Sequence, residues 1–141
     1  MAAISVDHSI ADSVAAVREG VGVFDLSARG KLRVTGSERA TWLHGMVSND
    51  VEGLSAGQGN YGTVLTDRGK MLADYGLVVR DDDLLLDTEQ EVGAALAERL
   101  DRFVISEDAA INVESDAWSL YGVAGPAAAA HISATLSVDV S

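Results

Sequence analysis

The chain has 141 residues, 48% of them hydrophobic, so one domain with a buried core is expected and disorder is not. Asp and Glu number 22 against 10 Lys and Arg, a net charge of −12 with no basic stripe. That balance excludes nucleic-acid binding through the phosphates and opposes anionic membranes. With no Cys, the chain contains no disulfide, thiolate nucleophile or Cys-ligated metal centre.

The first residues, Met1-Ala2-Ala3-Ile4-Ser5-Val6-Asp7-His8, lack the basic start and long apolar core of a secretory leader. A cytoplasmic location is the default expectation. Ile10, Val14 and Val17 then recur at helical spacing over Ser9 to Arg18, with Ser9 as N-cap and Gly20 as stop. Val21 to Ser27 reads as an extended segment, and a turn at Ala28-Arg29-Gly30 leads into Lys31-Leu32-Arg33-Val34-Thr35, which alternates like a half-buried strand. Ser37 to Met46 returns to helical periodicity, with Ser37 as the predicted cap. Ser48 to Asn60, rich in Gly, Ser, Asn and Asp, is predicted to be mostly loop.

Tyr61–Thr66 and Lys70–Arg80 flank Asp67-Arg68-Gly69, a hairpin signature. Asp81-Asp82-Asp83 makes the next turn and Leu84–Asp87 the next strand. Glu89 to Phe103 is an amphipathic helix through Val92, Leu96, Leu100 and Phe103. Val104-Ile105, Ile111–Val113 and Trp118–Val123 read as short strands, and Pro126 stands at the first turn of a helix over Ala127–Leu136. Hairpins interrupted by single helices, without βαβ alternation, give an α+β class: antiparallel sheets with helices packed on one face.

Formal motifs mostly fail on context. Gly57-Gln58-Gly59-Asn60-Tyr61-Gly62 matches G-x-G-x-x-G, yet strand chemistry follows it where a phosphate-binding helix is required. Gly69-Lys70 is followed by Met71, so the P-loop pattern is absent. His8, His44 and His131 are too dispersed for a metal site, and Asp81, Asp82, Asp83 and Asp87 read as a solvated turn and strand end. Asp74 remains, a carboxylate within the apolar run Met71 to Val78. It is either on the solvent face or committed to a specific task. A two-residue hairpin loop sets Tyr61 opposite Asp74 on one sheet face; a three-residue loop puts them on opposite faces unless a bulge compensates.

In their order and spacing, several segments together resemble a known superfamily. They are Val23-Phe24-Asp25-Leu26-Ser27, Gly30-Lys31-Leu32-Arg33-Val34-Thr35-Gly36, Ser48-Asn49-Asp50-Val51, Gly57-Gln58-Gly59-Asn60-Tyr61, Gly69 to Asp74 and Gly125-Pro126-Ala127. The likeness is to the folate-binding N-terminal region of the aminomethyltransferases, the T-protein of the glycine cleavage system. The chain is also similar to the YgfZ-type folate-binding proteins linked to iron–sulfur cluster maturation and tRNA modification.

The resemblance implies a tetrahydrofolate site within a cloverleaf of α+β units. By motif position, Asp74 is the catalytic carboxylate and a folate contact, Tyr61 on the partner strand helps hold the ligand, and Asn49, in the loop beside them, is a third site residue with a mainly structural role. In the family's chemistry an aminomethyl group on a lipoyl carrier loses ammonia and its carbon passes to tetrahydrofolate, where an oriented carboxylate can stabilise positive charge or manage a proton. Leu65 to Asp74 and Leu100 to Ile105 read more like the YgfZ branch, and Ala28-Arg29 stands where T-proteins carry His-Met. A YgfZ-like folate-dependent factor is therefore expected, with an aminomethyltransferase module or an inactive truncated domain as alternatives.

Three segments are expected: 1–50 as the first part of a discontinuous folate-binding domain, 51–115 as the subdomain carrying the hairpin, and 116–141 as an incomplete return into the first. The second half of a typical member does not follow Gly125-Pro126, so weak folate binding, and a completing chain or self-association as partner, are further expectations.

Overall fold

The structure, a computed structural model, describes residues 9–139; the N-terminal stretch discussed above, with His8, lies outside them. By its contacts the chain divides into two compact units, residues 1–26 with 120–141, and residues 27–119.

In the first unit, α1 (Ile10–Glu19) is capped as its sequence predicts: the Asp12 N–H donates to Ser9 Oγ at 3.2 Å, and the Gly20 N–H closes the last turn on the Ala16 carbonyl at 2.9 Å. β1 (Gly22–Asp25) pairs antiparallel with β7 (Tyr121–Ala124), Gly22 opposite Ala124 and Asp25 opposite Tyr121. The final strand thus begins at Tyr121, not Trp118. α4 (Ala128–Leu136) follows; its N-cap is Ala127, which leaves Pro126 just before the helix instead of in its first turn. Neither helix buries a residue, and Val23, Phe24 and Tyr121 stand exposed. A two-stranded ribbon of this kind is marginal without further cover.

The second unit is a five-stranded antiparallel sheet in the order β3-β4-β5-β2-β6. Its strands are β2 (Gly30–Thr35), β3 (Gly59–Leu65), β4 (Met71–Val79), β5 (Leu84–Thr88) and β6 (Ala110–Val113), accompanied by α2 (Arg39–His44) and α3 (Gln90–Asp101). Alternation sets the two faces. Leu32, Val34, Tyr75, Leu77, Leu84 and Leu86 point inward and join Leu96 and Leu100 of α3 and Trp42 and Leu43 of α2 in one buried cluster. The helices therefore cover one sheet face, as the patterning predicts, and the other face mixes polar side chains such as Thr63, Asp74, Asp87 and Arg33 with Leu65, Val78 and Leu85.

Three local expectations are corrected. Ser37 does not cap α2: its N–H and Oγ both donate to Asp108 Oδ2, at 2.9 and 2.7 Å, and the helix starts later with no side-chain cap. Val104-Ile105 forms no strand, because the Ile105 and Ser106 N–H groups turn onto Glu107 Oε2 at 3.0 Å each. α2 and α3 each end two residues before the periodicity does, at His44 and Asp101. By contacts the units divide at 26/27 and 119/120, with β2 hydrogen-bonded between β5 and β6 in the sheet that holds the hairpin.

Candidate functional site

The hairpin that carries Tyr61 and Asp74 closes on a three-residue loop. The Gly69 N–H donates to the Thr66 carbonyl at 2.9 Å and the Thr66 N–H to the Lys70 carbonyl at 2.8 Å, with Gly69 at φ +75°. Glycine takes that left-handed conformation without a Cβ penalty, which is why Asp-Arg-Gly turns here. Such a loop alone puts the two side chains on opposite faces. A second irregularity reverses this: Leu65 faces Met71 but Val64 faces Ala73, so Leu72 is an extra residue on β4.

The two shifts together restore parity. Tyr61 lies opposite Gly76, and Asp74 opposite Thr63, so the equal-level pairing expected from a two-residue loop is replaced by a diagonal one on the same face. Diagonal neighbours are about 7–8 Å apart, within reach of a phenol. Tyr61 Oη donates to Asp74 Oδ2 at 2.7 Å. This bond is the main cause holding the Tyr61 hydroxyl above the usual phenol pKa; partial burial and the Asp74 charge add to it, and the Arg29 charge opposes it. Tyr61 therefore remains a neutral donor at physiological pH. Its side chain is 63% exposed, so the pair stands on an open sheet face, not within an enclosed cavity.

Asn49 reaches the pair from behind. Its Nδ2 donates to the Tyr61 carbonyl at 2.9 Å while its Oδ1 accepts from the Asp50 N–H at 2.8 Å, so both ends of the carboxamide are engaged with backbone. Ser48 runs beside the same edge: its N–H donates to the Thr63 carbonyl at 2.9 Å and its Oγ accepts from the Thr63 N–H at 2.9 Å. The Ser48–Asp50 loop thereby pairs the otherwise free edge of β3 and fixes the backbone under Tyr61. The Val51 N–H donates to His44 Nδ1 at 3.2 Å and ties the loop to the end of α2.

The structure also brings to this face residues that sequence reasoning passed over. Gly76 separates Tyr61 from Asp87 of β5, and Lys31 of β2 follows Asp87, so Tyr61, Gly76, Asp87 and Lys31 form one row across four strands. Asp87 Oδ2 accepts from Arg29 Nε at 2.6 Å. Lys31, 7% exposed, donates from Nζ to the carbonyls of Ser27 and Arg29 at 2.7 and 3.1 Å and so grips the turn that carries Arg29. The one signal available in the sequence was Gly76 itself, since a lone glycine inside a strand marks close approach.

A separate polar network sits at the β4–β5 turn. Asp83 is 1% exposed and accepts from Arg80 Nε and Nη2 and from Arg33 Nε, each at 2.6 Å. The bonds from Arg80, then from Arg33, hold its carboxyl below the usual carboxylate range against the opposing cost of burial. Three arginine donors already engage this buried carboxylate inside the protein, which makes this network structural.

Comparison with known proteins agrees with the architecture. The GCVT N-terminal domain family matches residues 3–141. An aminomethyltransferase of Deinococcus deserti is 32% identical over 130 residues, covering 89% of this chain and 35% of that protein. One from Corynebacterium jeikeium is 35% identical over 120 residues, covering 81% and 30%. The sarcosine oxidase alpha subunit of a Corynebacterium species is 30% identical over 105 residues, covering 73% of this chain and 11% of that one. Among solved structures, the glycine cleavage system aminomethyltransferase T of Bartonella henselae superposes with a TM-score of 0.79 at 22% identity, over 92% of this chain and 35% of that one. The chain thus spans about a third of the length of the aminomethyltransferases it matches.

Proposed function

Because the chain belongs to the GCVT N-terminal domain family, we propose that it is the tetrahydrofolate-binding module of an aminomethyltransferase-type protein, with Asp74 and Tyr61 facing the ligand. The observation that carries this reading is the 2.7 Å bond between Tyr61 Oη and Asp74 Oδ2 on the sheet face opposite the helices. That bond supports the two residues to which the family motif position points.

The chemistry suits the residues. A flat heterocycle can lie against the exposed Tyr61 ring, which supplies contact area at low entropic cost. Tyr61, as a neutral donor, orients the Asp74 carboxylate and leaves Oδ1 to face the ligand. Asp74 then holds or moves a proton at the folate nitrogen that carries the one-carbon unit, or stabilises positive charge developing there. Asn49 is a positioning residue: it fixes the backbone of Tyr61 and keeps the ring in place.

A YgfZ-type folate-dependent factor is the second reading. It is favoured by Ala28-Arg29, which occupies the place of the T-protein His-Met pair. The relatives carrying aminomethyltransferase names give the first reading precedence.

Calorimetric titration with tetrahydrofolate tests the shared premise. Wild type is expected to bind and Asp74→Asn to bind at least about tenfold more weakly, the loss of one charge-assisted contact. Equal affinity of the two would remove Asp74 from the site. Turnover with a lipoylated aminomethyl carrier then separates the two readings: one-carbon transfer supports the first, and binding without transfer the second.

A further inference from the structure

The cations of this acidic chain are unevenly committed. Within residues 27–119, Arg29, Arg33, Arg80 and Arg102 pair with carboxylates, and Lys31 and Arg39 hold backbone carbonyls. Among the described residues, Arg68, Lys70 and Arg99 pair with no carboxylate. These three gather at one end of the five-stranded sheet, around an apolar cleft. We propose that this cleft docks an acidic segment of a partner protein, which inserts one large apolar side chain between the three cations. The proposal goes beyond the folate reading and does not depend on it.

Topology makes the cluster. Arg68 and Lys70 stand exposed at the turn between β3 and β4, and Arg99 lies in the last turn of α3. The end of that helix meets the hairpin turn, because Asp67 and Arg99 line the same cleft of about 270 Å³. Met46, Val64, Leu100 and Phe103 supply its apolar lining. Val64 and Leu100 are buried there, Met46 is half-buried and Phe103 remains 44% exposed. The volume falls below the about 300–1,000 Å³ of small-molecule sites, and it suits a single anchoring side chain.

Charge selects the occupant. The Arg99 guanidinium stands 5.9 Å from the centre of the Phe103 ring, a contact that keeps the cation at the cleft without neutralising it. Among the described residues lining the cleft, Asp67 is the one carboxylate, so Arg68, Lys70 and Arg99 leave this end positive. The chain as a whole carries −12. An acidic segment is therefore drawn to this end and repelled elsewhere, which fixes where it lands. The same net charge disfavours two other occupants. A second copy would bring −12 against −12, and an anionic bilayer would repel the rest of the surface. A short protein segment meets the cationic end alone.

The test uses two fluorescein-labelled synthetic peptides, one of Asp and Glu around a central Trp, the other with Lys replacing the acids. Fluorescence anisotropy reads affinity, and amide shifts of the isotope-labelled chain read the place. The acidic peptide is expected to bind at least about tenfold more tightly than the basic one, and more weakly as salt rises. Its largest shifts should fall in residues 66–70 and 99–103. Arg68→Ser combined with Lys70→Ser should weaken it about 3–10-fold, and Phe103→Ser at least about tenfold. Arg18→Gln, a cation removed outside the cleft, should leave affinity unchanged. Thermal melting shows which variants stay folded, and the exposed turn pair decides the matter if Phe103→Ser unfolds. Equal affinity for the two peptides, shifts away from the cleft, or undiminished affinity in the folded variants overturns the proposal. Preferential binding to phosphatidylserine vesicles would assign the cleft to a bilayer, and Phe103 signals that move with protein concentration alone would assign it to a second copy; either result overturns it too.

Discussion

Replacing Asp83 by Asn keeps the side chain's shape and removes its charge, and the structure sets the size of the effect. Three charge-assisted bonds converge on this carboxylate, two from Arg80 and one from Arg33, each at 2.6 Å, and Arg33 also approaches Glu114 at 3.5 Å. Bonds to a charged group contribute about 1.5–3 kcal/mol each, and breaking a fully buried pair costs about 3–5 kcal/mol. Here the carboxylate is buried but the two arginines are 38% and 37% exposed at the side chain, so water recovers part of their solvation. The expected loss is about 2–3 kcal/mol, which lowers Tm by roughly 8–15 °C for a unit of this size. The pH dependence is equally specific. The native carboxyl titrates below its unfolded value of 3.8, so its stabilisation is complete above that pH and is lost as pH falls through the native pKa. Wild type and Asp83→Asn should therefore differ at pH 7 and converge in acid. Circular-dichroism melting across pH decides it: an unchanged Tm at neutral pH, or a difference that persists undiminished at the lowest pH, would refute the reasoning.

Other outcomes follow from the same geometry. Leu100→Ala opens a cavity under the sheet where a side chain 2% exposed now packs, and urea unfolding should show a loss of about 2–5 kcal/mol. Asp74→Asn removes the main cause of the raised Tyr61 pKa, so ultraviolet titration should bring that phenol back towards its ordinary 10.0; the neutral-form preference it reports in wild type holds below pH 10 and is lost as pH rises further. Gly76→Ala should displace the Asp87 carboxylate and disturb its pairing with Arg29, at a cost of only about 0–1 kcal/mol because the partly exposed side-chain end can move aside, measured by melting. Ser9→Ala should reduce α1 helicity, with a loss of about 0.5–2 kcal/mol locally, read by amide exchange in that helix.

Element types were legible in the sequence wherever periodicity was long. The α3 stripe through Leu96 and Leu100 and the alternation in β2 both lead to the buried cluster. What depends on distant partners was not legible. Ser37 looks like a cap until Asp108, 71 residues away, claims both its N–H and its hydroxyl. The hairpin is the sharper case. Loop composition sets the first register shift, but the extra residue Leu72 is invisible locally, and only the two together return Tyr61 and Asp74 to one face. Asp87 and Arg29 are separated by 58 positions, and their pairing follows from β2 and β5 being neighbours.

Folate recognition here turns on the Tyr61 phenol and the Asp74 carboxylate together forming the ligand-facing surface of this sheet. Intermolecular nuclear Overhauser contacts in a complex of the isotope-labelled chain with tetrahydrofolate measure that directly. Contacts are expected from the Tyr61 ring to the pterin, with the largest amide shifts running from Met71 to Gly76. Contacts confined to the opposite, helix-covered face, or to the Trp118 region with Tyr61 silent, would contradict it.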